Sequence, residues 1–394
     1  LLDRNCHKSV HHGVVLSGAH PVYLDSALNR KYGLYGPVPK KTLLREIRKH
    51  PDAQALILTS CTYDGLRYGL APIVEAGEIR GIITESKAGR EAILARRVID
   101  GTGDADVATR AGARVRKTPR EEMMSVSVMF SMTGVNKQRF IDAVKADPQT
   151  YNDWKGGGEW QIETTGKADE MLSPFLRKPF KQAVKAGLIP ASLATIAGTW
   201  GAVSDQGDLT YLNLIHLAAD GTDPADLTRG EMEGRRQAVH AVEALKHFMP
   251  GCEGAKLRNF GMTLGIRDTR KIDALYNMTA VDVREQGRFD DSIGIFPEFI
   301  DGYGLLILPT TGRYFHLPYR SLVPQGVQGL LVAGRSIGGD KVSHAAVRNM
   351  MCCAVSGQGA GVAAAISLQH DQPFDRIDMG KVQAELRRQG ARLA

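Results

Sequence analysis

Cysteine is scarce in this chain of 394 residues. The five cysteines, Cys6, Cys61, Cys252, Cys352 and Cys353, are odd in number and include no CxxC pair, which excludes a disulfide framework and a cysteine-type zinc site. That usage is the one expected in a reducing cytoplasm. No apolar run of roughly 18 residues, the length a membrane-spanning helix needs, stands out. The opening "LLDRNCHKSV" lacks the ordered regions of a secretory signal. Long basic tracts are absent too. The net charge is +7, yet the longest basic clusters are as short as "RKTPR" (116–120), with acidic residues among them, so no nucleic-acid partner is expected. Neither a P-loop GK[ST] nor a G-x-G-x-x-G fingerprint occurs. Internal repeats and low-complexity segments are likewise missing.

What is present is a glycine-rich α/β pattern. Residues 40–50, "KKTLLREIRKH", have the spacing of an amphipathic helix, with Leu43, Leu44 and Ile47 on one face. Strands are expected at 54–60, 67–77 and 79–89, the last two joined by a hairpin turn at "EAGEIRG". A fourth, "ILARRVIDGTG", runs into glycines. The middle of the chain changes character. "VNKQRFIDAVKAD" and "EMEGRRQAVHAVEALKHFMPG" read as helices, and the triple glycine in 151–166 marks a loop. From residue 328 the first pattern returns, with a buried strand ending in "AGR", the Ala/Gly-rich helix "NMMCCAVSGQGAGVAAAISLQH" and a last amphipathic helix capped by an aspartate.

The stretch "VIDGTGDADVATRAGA" (98–113) carries the first chemical signal. Gly101 and Gly103 remove side chains where a strand turns, so backbone and ligand can approach closely. Thr102 and Asp104 stand near the start of the next helix, where unpaired N–H groups and the helix dipole favour an anion. A tight strand-to-helix turn with no ligand would use the same residues. "LLVAGRS" repeats the arrangement at the other end of the chain. Gly357, Gly359 and Gly361 would let backbone N–H groups face a flat reducible ring, or let the helix pack closely on a sheet. His344 and Arg348 are four apart, on one face of a helix, where an imidazole could move a proton and a guanidinium hold a carboxylate. His316, Tyr319 and Arg320 form a further polar group. Arg267 and Arg270 are either ligand clamps or partners of Asp268 and Asp273.

Taken in order, "VIDGTGDADVATRAGA", "IRDTRKIDALYNMTAVDV" (266–283) and the 314–365 segment resemble the FAD-dependent oxidoreductases of the glutathione-reductase-like flavin fold, from about residue 40 to the end. The resemblance implies an α/β architecture. A Rossmann-like FAD-binding domain is expected over 1–130 and 321–394, with an inserted α+β substrate or cap domain over 131–320. It implies FAD as cofactor, and as its contacts Asp100, Gly101, Thr102, Gly103, Asp104, Gly334, Arg335, Gln358, Gly359 and Gly361. It also sets Asp3, with Arg4 beside it, where such proteins bind the adenosine ribose, the fingerprint strand falling before Leu1. His344, Arg348 and His316 are the catalytic candidates, and no metal site is expected. The implied activity is hydride transfer between flavin and a small polar or anionic organic substrate, in the cytoplasm, with an unidentified electron acceptor and a possible homo-oligomer. Two rivals remain: a flavin-fold subunit that has lost its cofactor, and an RNA-modifying flavoprotein.

Overall fold

The computed structural model describes residues 1–3, 14, 19–29, 34–35, 38–53, 56, 69–86, 89–147, 161–163 and 175–394. Apart from Leu56, the strand expected at 54–60 lies outside these residues. So does most of the 151–166 loop, where 161–163 is a strand. The structure is mixed α/β and divides into two compact units. One comprises residues 1–117, 270–303 and 309–394, and the other 118–269 and 304–308. The first boundary differs from the expected 131 because strand Val126–Thr133 pairs with Leu209–Leu217 in the second unit. The return falls near 270 rather than 320 because Arg270–Ile272 pairs antiparallel with Val115–Lys117 of the first unit.

In the first unit, Gly69–Glu75, Glu78–Ser86 and Gly89–Leu94 form a three-stranded antiparallel sheet. Its first turn is the expected hairpin, with Ala76 and Gly77 both at positive φ. The expected fourth strand is in fact two. Gly89–Leu94 completes that sheet, and after a break Val98–Asp100 runs parallel to Leu330–Val332, with Asp100 opposite Val332. The break lets one stretch of chain serve two pairings of opposite sense. Around the parallel pair lies an apolar cluster that includes Ala105, Ala108, Ile272, Leu330 and Val332. Leu2–Asp3 with Tyr23–Leu24 and Gln161–Glu163 with Leu305–Ile307 are parallel pairs as well.

Three expected helices have their predicted places: Lys40–Lys49, Met350–His370 and Met379–Arg388, the last capped by Asp378, which accepts from the Lys381 N–H. Met350–His370 corrects one expectation from the sequence, since by length and composition it is apolar enough to cross a membrane. Gly, Ala, Ser and Cys supply that apolarity without bulk. Cys352, Ala354, Gly359, Ala360, Ala363 and Ile366 are among its buried residues, as in a core helix.

The second unit is built on an antiparallel sheet in the order Phe175–Leu176, Gly198–Thr199, Leu209–Leu217, Val126–Thr133, Lys256–Phe260. Helix Pro224–Phe248 packs on it and starts as its sequence dictates, with Asp223 capping the Ala225 N–H and proline in the first turn. Gly234 allows this packing, because a Cβ there would stand 2.2 Å from Val128 Cγ2. Val128, Phe130, Phe140, Leu212, Leu214, Ala241 and Leu245 belong to the core between sheet and helices.

Candidate functional site

The site grows from the parallel pair in the first unit. Both strands end together, and both then turn through glycine, Gly103 at φ 82° and Gly334 at φ 88°. A Cβ on Gly103 would lie 2.3 Å from Arg335 Nη1, so glycine here lets the second strand end approach the first. The turn is held from inside. Asp100 is buried, and its two carboxylate oxygens accept from the Thr102 N–H at 2.9 Å and the Ala108 N–H at 2.8 Å. Thr102 Oγ1 accepts from the Asp106 N–H, which caps helix Asp106–Ala111. Asp100 and Thr102 therefore shape the loop and use their oxygens on it. Burial pushes the Asp100 carboxyl above the ordinary range, against the pull of those two N–H donors.

The charges at the loop form a network of two arginines and two aspartates. Arg335 donates to Asp104 at 2.8 Å, and Arg270 donates to Asp106 at 2.8 Å. Burial works against the Arg335 charge, but the Asp104 carboxylate outweighs it and raises the guanidinium pKa above its ordinary value. Arg335 Nε, Arg270 Nε and Ser336 Oγ are buried without a hydrogen-bond partner among the described residues. Arg335 and Ser336 follow the Leu330–Val332 strand and Arg270 reaches the same loop through Asp106, so unused donors there leave capacity for an anion. Arg270, by sequence either a ligand clamp or a partner of Asp268 and Asp273, has Asp106 as its ion-pair partner. Asp106 and Ser336 were not singled out. The signal for Asp106 was in plain view, as the acidic residue in the first turn of the helix after the glycines.

The Ala/Gly helix meets the second strand end through Ser356, whose hydroxyl accepts from the Gly334 N–H at 2.9 Å. Gly357 to Gly361 sit in the middle of this helix, not at its N-terminus, so their N–H groups serve the helix and do not face a ligand. Gly359 is buried against Ile293, and Gln358 donates to Gln389. Gly357 and Gly361, one turn apart, are exposed with nothing within 4 Å of a Cβ position.

The catalytic candidates fall in two places. His344 is buried on helix Lys341–Val347, with Arg348 at its C-terminal end. Arg348 donates to the Asp301 carbonyl and, at 3.1 Å, to the Asp301 carboxylate, and its Nε is buried without a partner. Cys353, one turn further on, lies within the fields of both Arg348 and Arg335, which links this helix end to the charge network. Burial outweighs them and pushes the thiol up to about 11, so it is protonated and inert at neutral pH. His316 lies apart from these groups. It is buried on strand Tyr314–Pro318, its Nδ1 accepts from the Phe289 N–H at 3.2 Å, and Nε2 is unpartnered. Burial, and then Arg288, hold its pKa below the usual histidine value despite the Phe289 carbonyl, which lies 3.4 Å from Nδ1. Arg320 pairs with Asp291, and the buried Tyr319 hydroxyl donates to the Phe374 carbonyl, which makes both structural.

Asp3 is buried on a two-residue strand, where its carboxylate accepts from Ser26 at 3.4 Å, and Arg4 lies outside the described residues. Among the described residues, no three His, Cys, Asp or Glu side chains gather as metal ligands would.

Glycine turns thus close the paired strand ends of an α/β framework, with guanidinium donors beside them that have no partner among the described residues. Residues 45–386 match the family model described as FAD dependent oxidoreductase, and the chain belongs to that family. Residues 1–85 match a second model, the major domain of Orn/Lys/Arg decarboxylases. Asp3 and Arg4 thus fall ahead of the flavoprotein match and inside the decarboxylase-like one. Relatives of that second kind include the protein YaaO of Bacillus subtilis, 42% identical over 82 residues (21% of this chain and 17% of that protein). The biodegradative arginine decarboxylase of Escherichia coli is 38% identical over 81 residues, covering 17% of this chain and 11% of the enzyme. The chain therefore spans less than a fifth of the length of either relative. Among solved structures, it is similar to a geranylgeranyl bacteriochlorophyll reductase-like protein from Thermoplasma acidophilum, 11% identical with a TM-score of 0.35, covering 80% of this chain and 51% of that one.

Proposed function

We propose that this chain binds FAD at the paired strand ends Asp100–Asp104 and Gly334–Arg335, and exchanges a hydride between that flavin and a small polar or anionic organic substrate. One observation carries the reading: buried, unpartnered donors on Arg335, Arg270 and Ser336 stand beside two glycine turns. The residues fit the group. A guanidinium stays charged at any working pH and reaches two phosphate oxygens at once. Gly334 leaves open space on the side where a Cβ would stand. Asp100 and Thr102 keep the turn rigid, so its N–H groups are preorganised for an anion.

When bound, FAD supplies a two-electron acceptor for a substrate hydride. The chain's own part is to hold the substrate and move the accompanying proton. Arg348, anchored through Asp301 with its Nε unspent, is suited to a carboxylate or oxyanion. His344, one turn before it, is the proposed proton carrier. His316 is the alternative: its Nδ1 faces both the N–H and the carbonyl of Phe289, and its buried Nε2 has no partner among the described residues.

Adding FAD to the purified chain and following flavin fluorescence tests the cofactor claim. Binding should weaken by roughly tenfold or more in Arg335→Ala, the loss of one charge-assisted contact, and little in Arg320→Ala. Equal binding in both variants, or none in the native chain, sinks the assignment. The substrate claim is tested by anaerobic bleaching of the bound flavin with hydroxy acids, amino acids and polyols. His344→Gln should slow the bleaching without releasing FAD.

A further inference from the structure

The second unit holds a cavity of its own. About 230 Å³ opens between the turn Ala191–Leu193, the strand Leu209–Leu217 and the helix Pro224–Phe248. Its floor is apolar, formed by the buried Leu193, Ile196 and Leu214. Its walls carry two hydroxyls, Ser192 and Thr195, the His216 imidazole and the Gln237 amide. No Asp, Glu, Lys or Arg is among these lining residues. The Gln237 Nε2 donates to Glu233 at 3.0 Å, which leaves Oε1 as the acceptor the amide can offer.

This lining discriminates by charge. Among the lining residues a carboxylate or phosphate would find no Lys or Arg to replace its hydration, and an ammonium no carboxylate, so either would enter at a desolvation cost. Hydroxyl groups match the walls, because each both donates and accepts, as the serine and threonine hydroxyls opposite them do. The floor calls for a C–H face. The volume is below the roughly 300–1,000 Å³ of drug-sized pockets, which suits a smaller molecule.

We propose that this pocket binds a neutral polyhydroxylated small molecule of about monosaccharide size, its hydroxyls on Ser192, Thr195, His216 and Gln237 and its carbon face on Leu193, Ile196 and Leu214. The proposal does not rest on the flavin reading, and its test needs no flavin. Saturation-transfer NMR on the full chain, with D-glucose as the neutral probe and D-gluconate as its charged counterpart, should show transfer to glucose protons and little to gluconate. Thr195 is exposed, so Thr195→Trp fills the mouth without touching the core and should abolish the glucose signal. Gln237→Leu keeps the volume and removes the acceptor, and should weaken binding about tenfold. Far-ultraviolet circular dichroism of both variants checks that the fold persists. Absence of transfer from the native chain, an unchanged signal in folded Thr195→Trp, or a preference for gluconate overturns the proposal.

Discussion

His316 is a single side chain whose protonation the fold opposes. The ring is buried, which outweighs the hydrogen bond with the Phe289 backbone, so the native state favours the neutral form and its pKa lies below the unfolded value of about 6.5. The sign follows from linkage. Above that unfolded value both states are neutral and the contribution is intact; as pH falls below it, the unfolded chain gains a proton the native chain refuses, and stability drops until the native pKa is passed. Urea midpoints measured between about pH 8 and about pH 5 should fall on the acid side. His316→Asn keeps an acceptor near the Phe289 N–H and should flatten that fall, whatever its midpoint at neutral pH. An identical acid slope in the variant would assign the effect to other groups. Residue identities at the loop were legible in the sequence, since Asp100, Gly103, Asp104, Gly334 and Arg335 converge as the motif order implied. Their partners were not. Nothing local to Arg270 announces that it pairs with Asp106, more than 160 positions away in the chain.

At the scale of the element, the Met350–His370 helix carries three glycines with two different reasons for being small. Gly359 faces Ile293, where a Cβ would stand 2.5 Å from Cδ1, while Gly357 and Gly361 face open space. Gly357→Ala and Gly361→Ala should each stabilise the chain by about 0.5–1 kcal/mol, the helix-propensity gain. Gly359→Ala should instead destabilise it by about 1–3 kcal/mol through overpacking, both changes being read from urea unfolding of the FAD-free protein. A uniform response at all three positions would contradict this division of the helix. Periodicity gave the existence of this helix and its limits to within a residue, because alanine-rich sequence between Asn349 and Asp371 has no competing conformation. It did not reveal which glycines are buried. That depends on the strand Ser292–Pro297, where Gly294 in turn makes room for Val355. The expected continuous strand over 93–103 failed for a related reason, since local propensity is blind to a change of pairing partner between Leu94 and Val98.

On the scale of the whole molecule, two units with separate apolar cores should unfold as separate cooperative blocks. Urea unfolding followed by backbone hydrogen exchange is expected to resolve two transitions. Saturating FAD should raise only the one that includes residues 98–111 and 330–370, because a ligand stabilises the block that binds it. A single transition, or an equal rise in both, would contradict that independence. Acid should separate the blocks as well. In the second unit the Arg120 contact, then the Asp220 N–H, hold the Asp226 carboxyl well below the ordinary range. Its contribution is therefore present above the unfolded value near about 4 and lost as pH falls below it. The mixed α/β class and the flavoprotein family were readable from motif order alone. The unit boundaries were not, since they depend on which strands hydrogen-bond across long separations.

The chain leaves the first unit at Lys117 and re-enters it at Arg270, and these two residues are directly opposed in an antiparallel pair. One step outward, the Thr118 N–H donates to the Thr269 carbonyl at 3.0 Å. Some 150 residues thus leave and return at one antiparallel pair, and the chain joins the second unit again at residues 304–308. Such a join sets almost no demand on the length or content of what hangs from it, because the ends are already closed by the ladder and not by the appended chain. A different module spliced between Lys117 and Arg270 would meet a pair of ends already closed by the ladder, and what it would have to replace is the partner strand that Gln161–Glu163 gives to Leu305–Ile307.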